Sequence, residues 1–225
     1  MLHPWVESVR VAFQQAENPK NAAGMSAYMK NHFPFHGITS QHRAELLKDL
    51  LSKPHLPKHA DLKPICEQLW QLPEREYTYA ALSLLAKCHK QLKPSDYPWL
   101  IELITQRAWW DSVDTLAGNV LSGLVNRYPN TLWPIFEPLI QSQNFWLNRT
   151  AIIVQLKSRN NTDVEFLSTA IRPHMQNKEF FLRKAIGWSL RQYARYNPQW
   201  VIDFVQQYQD QLSGLSKREA LKRLQ

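Results

Sequence analysis

Five residues in the second half of the chain combine side chains that stabilise charge: one carboxylate, two cations and two tryptophans. Asp114, Arg149 and Lys184 recur at intervals of 35 residues. Trp110 lies four residues before Asp114 and Trp188 four residues after Lys184, so on helices each tryptophan shares a face with its charged neighbour. Such a carboxylate stabilises a developing positive charge and holds a water molecule, and tryptophan faces favour a cation similarly. A sugar that becomes oxocarbenium-like as a cationic base departs needs both.

Other catalytic arrangements are missing from the sequence. No Ser, His and Asp stand at a recognised triad spacing, which argues against proteolysis. The 8 histidines form no HExxH motif, Cys66 and Cys88 form no C-x-x-C pair, and no glycine-rich phosphate loop occurs. We therefore expect neither a metal nor a nucleotide or other cofactor.

The charged row belongs to a longer internal repeat. Segments that start at Glu74, Trp109, Asn144 and Glu179 stay in phase over 35 residues, with small or apolar residues recurring at their seventh and eighth positions. Their sixth positions are Tyr79 and the three charged residues named above. A period of 35 fits two helices and two turns, a unit that buries its apolar stripe by stacking on its neighbours. Two other interpretations stay open: the row as an ordinary solvent-facing surface, and the tryptophans as residues buried against adjacent helices.

The elements that must position this row are helices. The chain has only 6 glycines in 225 residues, apolar residues recur at three- and four-residue spacing, and no run alternates as a strand would. Asn18-Pro19 and Asn197-Pro198 are typical helix starts, and residues 53–63 form the longest predicted loop. We predict an all-α chain, an α-solenoid forming a single domain over residues 1–225, with a concave groove for an elongated ligand.

The net charge of +8 favours a polyanionic partner. It is concentrated in residues 141–225, which hold 13 Lys and Arg against 6 Asp and Glu, whereas residues 1–140 hold 14 against 13. Tryptophans lie among the C-terminal cations, an arrangement that suits the bases and phosphates of a nucleic acid. No apolar run approaches the ~20 residues of a membrane span, and the N-terminus does not resemble a secretory signal, so we expect a cytoplasmic protein.

Several motifs resemble one known family. They run in order through nearly the whole chain: Tyr28 to Ile38, Leu72 to Glu76, Trp109-Trp110-Asp111-Ser112-Val113-Asp114, Trp146 to Arg149, Lys178 to Phe181, Lys184-Ala185-Ile186-Gly187-Trp188 and Ser216 to Ala220. The chain in these motifs is similar to the DNA alkylation repair glycosylases of the AlkD type. Members of that family consist of HEAT-like helical repeats and excise positively charged purines such as N7-alkylguanine and N3-alkyladenine.

The resemblance implies roles for individual residues. Asp114 would be the catalytic carboxylate, with Trp110 and Trp188 against the deoxyribose and backbone at the lesion. Arg149 would bind phosphate and Tyr28 would line the site. We also expect DNA contacts from three further residues, Trp109, Lys184 and Arg191.

The sequence thus leads to one main hypothesis and one alternative. The first is a monofunctional, monomeric DNA glycosylase of base excision repair that acts on alkylated purines in double-stranded DNA from the sugar and phosphate side. The second is a non-catalytic helical-repeat scaffold that binds DNA or an acidic protein. Asp114 separates them, because a protein that only binds phosphate gains nothing from a carboxylate facing DNA.

Overall fold

The computed structural model describes residues 2–224, and every regular element in this range is helical. The chain divides into two compact units, and the boundary in the sequence falls between Leu92 and Lys93. We call them the N-terminal unit and the C-terminal unit. The predicted all-α fold of the α-solenoid class is confirmed. The single domain, the HEAT-like character of the repeats and the concave groove stay predictions.

The N-terminal unit contains five α-helices and a short 3-10 turn at Lys53–His55. The helices are α1 (Pro4–Gln15), α2 (Pro19–Tyr28), α3 (Ser40–Leu46), α4 (His59–Gln71) and α5 (Arg75–Lys87). The Asn18 carboxamide caps α2 by accepting a hydrogen bond from the Asn21 amide at 3.2 Å. Gly37 has φ +86°, and a Cβ at this position would lie 2.1 Å from the Asn18 carbonyl oxygen, so only glycine fits there.

The predicted loop over residues 53–63 is only partly correct, because α4 already begins at His59. Pro64 lies inside this helix, where its missing N–H removes one helical hydrogen bond. The helix persists because it buries an apolar stripe that includes Leu62, Ile65 and Leu69. Burial of that stripe offsets the local cost of the proline.

The C-terminal unit contains the remaining helices. These are α6 (Tyr97–Thr105), α7 (Trp110–Thr115), α8 (Ser122–Arg127), α9 (Leu132–Ile140), α10 (Phe145–Ile153), α11 (Val164–Ile171), α12 (Phe180–Tyr193), α13 (Pro198–Gln207) and α14 (Gly214–Leu221). A π-helical stretch, Leu116–Leu121, joins α7 to α8 directly after the Asp114 turn. The Asn197 carboxamide caps α13 by accepting from the Trp200 amide at 3.1 Å, as its Asn-Pro sequence predicts.

The 35-residue repeat is visible in where helices begin. The first residues of α5, α7, α10 and α12 are Arg75, Trp110, Phe145 and Phe180, each 35 positions after the one before. Within the C-terminal unit, α10 packs against both α7 and α12, and α12 packs most extensively against α14. Residues at equivalent positions of α7, α10, α12 and α14 therefore follow one another across neighbouring helices.

No helix in residues 2–224 is long and apolar enough to cross a membrane.

Candidate nucleic-acid interface and active site

The predicted carboxylate and the first predicted cation form a close ion pair between α7 and α10. The Arg149 guanidinium donates from Nε to Asp114 Oδ1 and from Nη2 to Oδ2, both at 2.7 Å, and its Nη1 donates to the Phe181 carbonyl. Arg149 is 4% exposed, whereas the Asp114 side chain is 19% exposed. A bidentate Arg–carboxylate pair fixes the plane and direction of the carboxylate. Asp114 is thus held rigidly while part of its carboxylate faces outward.

Burial raises the pKa of the Asp114 carboxyl above its ordinary value, and the two hydrogen bonds from Arg149 oppose this rise. The negative charge of Asp111, one turn earlier on the same helix, raises it further. Arg149 therefore favours the ionised carboxylate, against the burial that disfavours it.

A cleft of about 280 Å³ in the C-terminal unit, which we call the Asp114 cleft, contains most of the predicted site. Its lining includes Asp114, Arg149, Lys184, Trp110 and Trp188, together with Arg191. The structure therefore brings together one carboxylate, three cations and two tryptophans. The 35-residue spacing predicts this for Asp114, Arg149 and Lys184, and the four-residue spacing on a helix predicts it for the two tryptophans. Two further aromatic residues, Phe180 and Phe181, line the same cleft.

The other two cations of the cleft, Lys184 and Arg191, share one carboxylate that is not among the predicted site residues. Glu219 on α14 accepts from Lys184 Nζ at 3.0 Å and also pairs with Arg191. These two cations lower the pKa of Glu219, the hydrogen bond from Lys184 being the larger cause. Glu219 stands 35 residues after Lys184, so it continues the row by one more repeat. Extending the 35-residue repeat by one more copy would have predicted Glu219 as a site residue.

Close packing of α14 on α12 depends on a glycine. A Cβ at Gly187 would lie 2.4 Å from the Glu219 Cβ and 3.0 Å from the Ser216 carbonyl oxygen. Ser216 in turn donates from its hydroxyl to the Arg183 carbonyl of α12 at 3.0 Å. Gly187 therefore lets Glu219 approach near enough to reach both cations at the cleft.

Trp109 lies among other aromatic rings beside this cleft. Its ring is edge-on to Trp146 at 5.9 Å and to Phe181 at 5.3 Å, measured between ring centroids. Trp146 and Phe181 themselves lie 4.9 Å apart. These rings stand at the starts of α7, α10 and α12 and hold the helix ends together. The predicted contact of Trp109 with DNA stays a prediction.

Phe180 was not among the predicted site residues, although a signal for it exists. It occupies the same repeat position as Trp110, is 56% exposed and lines the Asp114 cleft. An exposed aromatic residue of this size at a cleft is typical of a binding surface.

A second cleft of about 330 Å³ borders Asp114 and Trp188. Its lining is mostly polar and includes Asn119, Lys157 and Gln192. Asp114 thus has an open approach in each of two clefts.

Tyr28 belongs to the N-terminal unit, at the end of α2, and is 70% exposed. Its predicted part in the site stays a prediction.

Comparisons with known proteins agree with the motifs. The family model for "DNA alkylation repair enzyme" matches residues 9–224. A solved structure described as a predicted DNA alkylation repair enzyme from Enterococcus faecalis superimposes with a TM-score of 0.86. That protein is 38% identical in sequence, and the match covers 92% of this chain and 96% of the other. No curated protein matches the chain.

Proposed function

The chain belongs to the DNA alkylation repair enzyme family, and we propose that it is a DNA glycosylase that removes cationic alkylated purines, such as N7-alkylguanine and N3-alkyladenine, from double-stranded DNA. The observation that carries this proposal is the Asp114 carboxylate, held by Arg149 at 2.7 Å and exposed to a cleft between two tryptophans. This arrangement suits the stabilisation of a positive charge that develops during a reaction.

The proposed reaction needs no acid to protonate the leaving group. Alkylation at N7 or N3 gives the purine a positive charge, so the base departs neutral when it takes the electron pair of the C1′–N bond. The deoxyribose then carries the positive charge, which Asp114 stabilises across a short distance in a partly dehydrated site. Water adds to C1′, loses a proton and leaves an abasic sugar in an intact strand.

The two tryptophans and Phe180 supply the aromatic surfaces of the proposed site. Trp110 and Trp188 share the Asp114 cleft, and their electron-rich faces stabilise the same cationic sugar. The second cleft also borders Asp114, and in this proposal water reaches the carboxylate through it.

We assign Arg149 to hold Asp114 in place, because its guanidinium is buried and its donors are bonded within the protein. Contact with a phosphate would require Arg149 to leave these partners. Lys184, whose side chain is 37% exposed, and Arg191 lie at the same cleft and are better placed to bind the DNA backbone. Their contacts would carry little sequence preference and would weaken with salt.

The alternative function is a scaffold that binds DNA without chemistry. Incubating the protein with methylated duplex DNA and measuring free N7-methylguanine by chromatography separates the two. A glycosylase releases the base and leaves alkali-sensitive abasic sites, while a scaffold binds the duplex and releases nothing above the spontaneous rate. Release without strand cleavage would in addition support the monofunctional reaction.

A further inference from the structure

A second cationic cleft lies in the N-terminal unit, outside the basic C-terminal region. We call it the Arg43 cleft; it has a volume of about 680 Å³ and lies between α5 and the segment that contains α3. Among the described residues, three cations line it, Arg43, Lys48 and Lys87, and no carboxylate does. The serine hydroxyls of Ser40 and Ser83 lie in the same lining.

Arg43 is the most unusual of these cations. Its guanidinium lies 4.6 Å from the centre of the Tyr79 ring, and the residue is half-buried. Burial lowers the pKa of this guanidinium, although arginine stays charged at any physiological pH. Within residues 2–224 it forms no ion pair with a carboxylate. A half-buried guanidinium that is stacked on a ring and has no ion-pair partner in the described residues is suited to bind an anion.

The carboxylates nearby are engaged elsewhere. Glu76 accepts from the backbone amides of residues 36, 37 and 38 at 2.9–3.1 Å. Glu45 accepts from Gln41 at 3.2 Å, and Asp49 lies 3.4 Å from His55. The charge of Glu76 opposes the lowering of the Arg43 pKa, so this carboxylate acts on Arg43 electrostatically. None of the three carboxylates forms an ion pair with a cation of the cleft within residues 2–224. Lys48 and Lys87 are exposed and likewise form no ion pair in the part of the chain that the structure describes.

We propose that the Arg43 cleft is a phosphate-binding site that takes a phosphodiester group of the DNA backbone. In this site Arg43, fixed on Tyr79, donates its planar pair of N–H groups, and the two lysines add mobile positive charge. The source of the phosphate, DNA and not a small phosphorylated molecule, rests on the proposed function. The anion itself is implied by the cleft alone.

The test is the salt dependence of binding to an undamaged 20-base-pair duplex, measured by fluorescence anisotropy. The double variant K48Q/K87Q replaces two exposed side chains, so it keeps the fold. The control K20Q/K58Q removes the same charge from exposed lysines of the same unit that do not line the cleft. We expect the cleft variant to bind about 5–20-fold more weakly at 0.1 M salt and to lose about 1–2 units from the log–log salt slope. The control should lose less than half as much affinity.

Arg43→Gln and Arg43→Lys refine the result, with circular dichroism and thermal unfolding to confirm that each variant folds. Arg43→Gln should weaken duplex binding, and Arg43→Lys should recover only part of it because lysine lacks the planar fork. Equal losses in the cleft and control double variants, or none in either, would overturn the proposal.

A titration with inorganic phosphate distinguishes the two sources. If millimolar phosphate shifts the Arg43 side-chain NMR signal while the cleft variants bind duplex DNA as the wild type does, the site takes a free phosphate and the DNA assignment is wrong. Base release by the same proteins is read separately. If the wild type releases no base but K48Q/K87Q still binds the duplex more weakly than the wild type, the glycosylase proposal is wrong and the Arg43 cleft proposal stands.

Discussion

The two cationic clefts of this protein differ in whether their cations form ion pairs with carboxylates. In the Asp114 cleft each cation has a carboxylate partner: Arg149 pairs with Asp114, and both Lys184 and Arg191 pair with Glu219. Around Arg43 the three cations have none in the described residues. Paired cations hold other groups in a fixed geometry, whereas unpaired cations attract and hold an anion. The Asp114 cleft therefore has cations fixed by carboxylates, two of which we also propose as contacts to the DNA backbone, whereas the cations of the Arg43 cleft are left to bind an anion.

The largest expected effect comes from the carboxylate itself. Asp114→Asn keeps the shape of the side chain and removes the charge, so single-turnover release of N7-methylguanine from saturated duplex should fall by roughly 100-fold or more. Asp111→Asn on the same helix is the matched control, since it removes the same charge one turn away. If both variants lose base release to a similar extent, the effect comes from the negative charge of the helix as a whole and not from Asp114 in particular.

The next effect is on stability. Arg149→Ala leaves the Asp114 carboxylate buried without its partner, which should cost about 3–5 kcal/mol in the free energy of unfolding measured with urea. Arg195→Ala, an exposed arginine that follows α12, should change it by less than about 0.5 kcal/mol. If Arg149→Ala instead unfolds like the wild type and only weakens duplex binding, Arg149 is a phosphate ligand and its assigned role is wrong.

Glu219 offers a smaller and more diagnostic effect. Glu219→Gln releases Lys184 and Arg191, so duplex affinity should rise about two- to threefold while single-turnover base release falls by a similar factor. The rise reflects freed charge and the fall reflects lost positioning. Glu165→Gln removes the same charge from an exposed site on α11, and matching values in the two variants would exclude a positioning role for Glu219.

The smallest effect is a shift in pH dependence. Because burial raises the pKa of Asp114, this carboxyl takes up a proton at a higher pH than an ordinary aspartic acid. Enzymatic release should therefore fall, as the pH is lowered, at a point above the usual aspartic acid pKa of about 4. In Arg149→Ala the fall should begin at a still higher pH, since the opposing hydrogen bonds are gone. An acid limb that stays in place in this variant would mean that Asp114 does not set it.

The sequence predicted which residues lie together in the candidate site better than it predicted which of them form ion pairs. The 35-residue repeat was enough to predict that Asp114, Arg149 and Lys184 share one cleft, because residues at equivalent positions of stacked helices lie next to one another. The phase predicts neighbours but not which neighbours form ion pairs. Whether Arg149 faces outward or bonds with Asp114 depends on side-chain rotamers and on the Phe181 carbonyl, which no spacing reveals.

The Arg43 cleft shows a different limit of sequence analysis. Residues 1–140 are almost neutral in total, so their net charge hides a local group of cations. The cations come together only in the folded chain, where Glu76 hydrogen-bonds to backbone amides and Arg43 stacks on Tyr79 without an ion pair in the described residues. The predicted loop over residues 53–63 also fails because of packing that the sequence does not show. Pro64 is typical of a loop, yet α4 continues through it because burial of its apolar stripe outweighs one lost hydrogen bond.

The central claim is that the Asp114 cleft removes cationic purines because their charge makes the base a ready leaving group. The most direct test compares single-turnover release by the wild type from two duplexes of the same sequence, one with N7-methylguanine and one with hypoxanthine, an uncharged purine, at the same position. We predict release of N7-methylguanine far above its spontaneous rate and no measurable release of hypoxanthine. Equal release of both bases, or of neither while the duplex stays bound, would contradict the account.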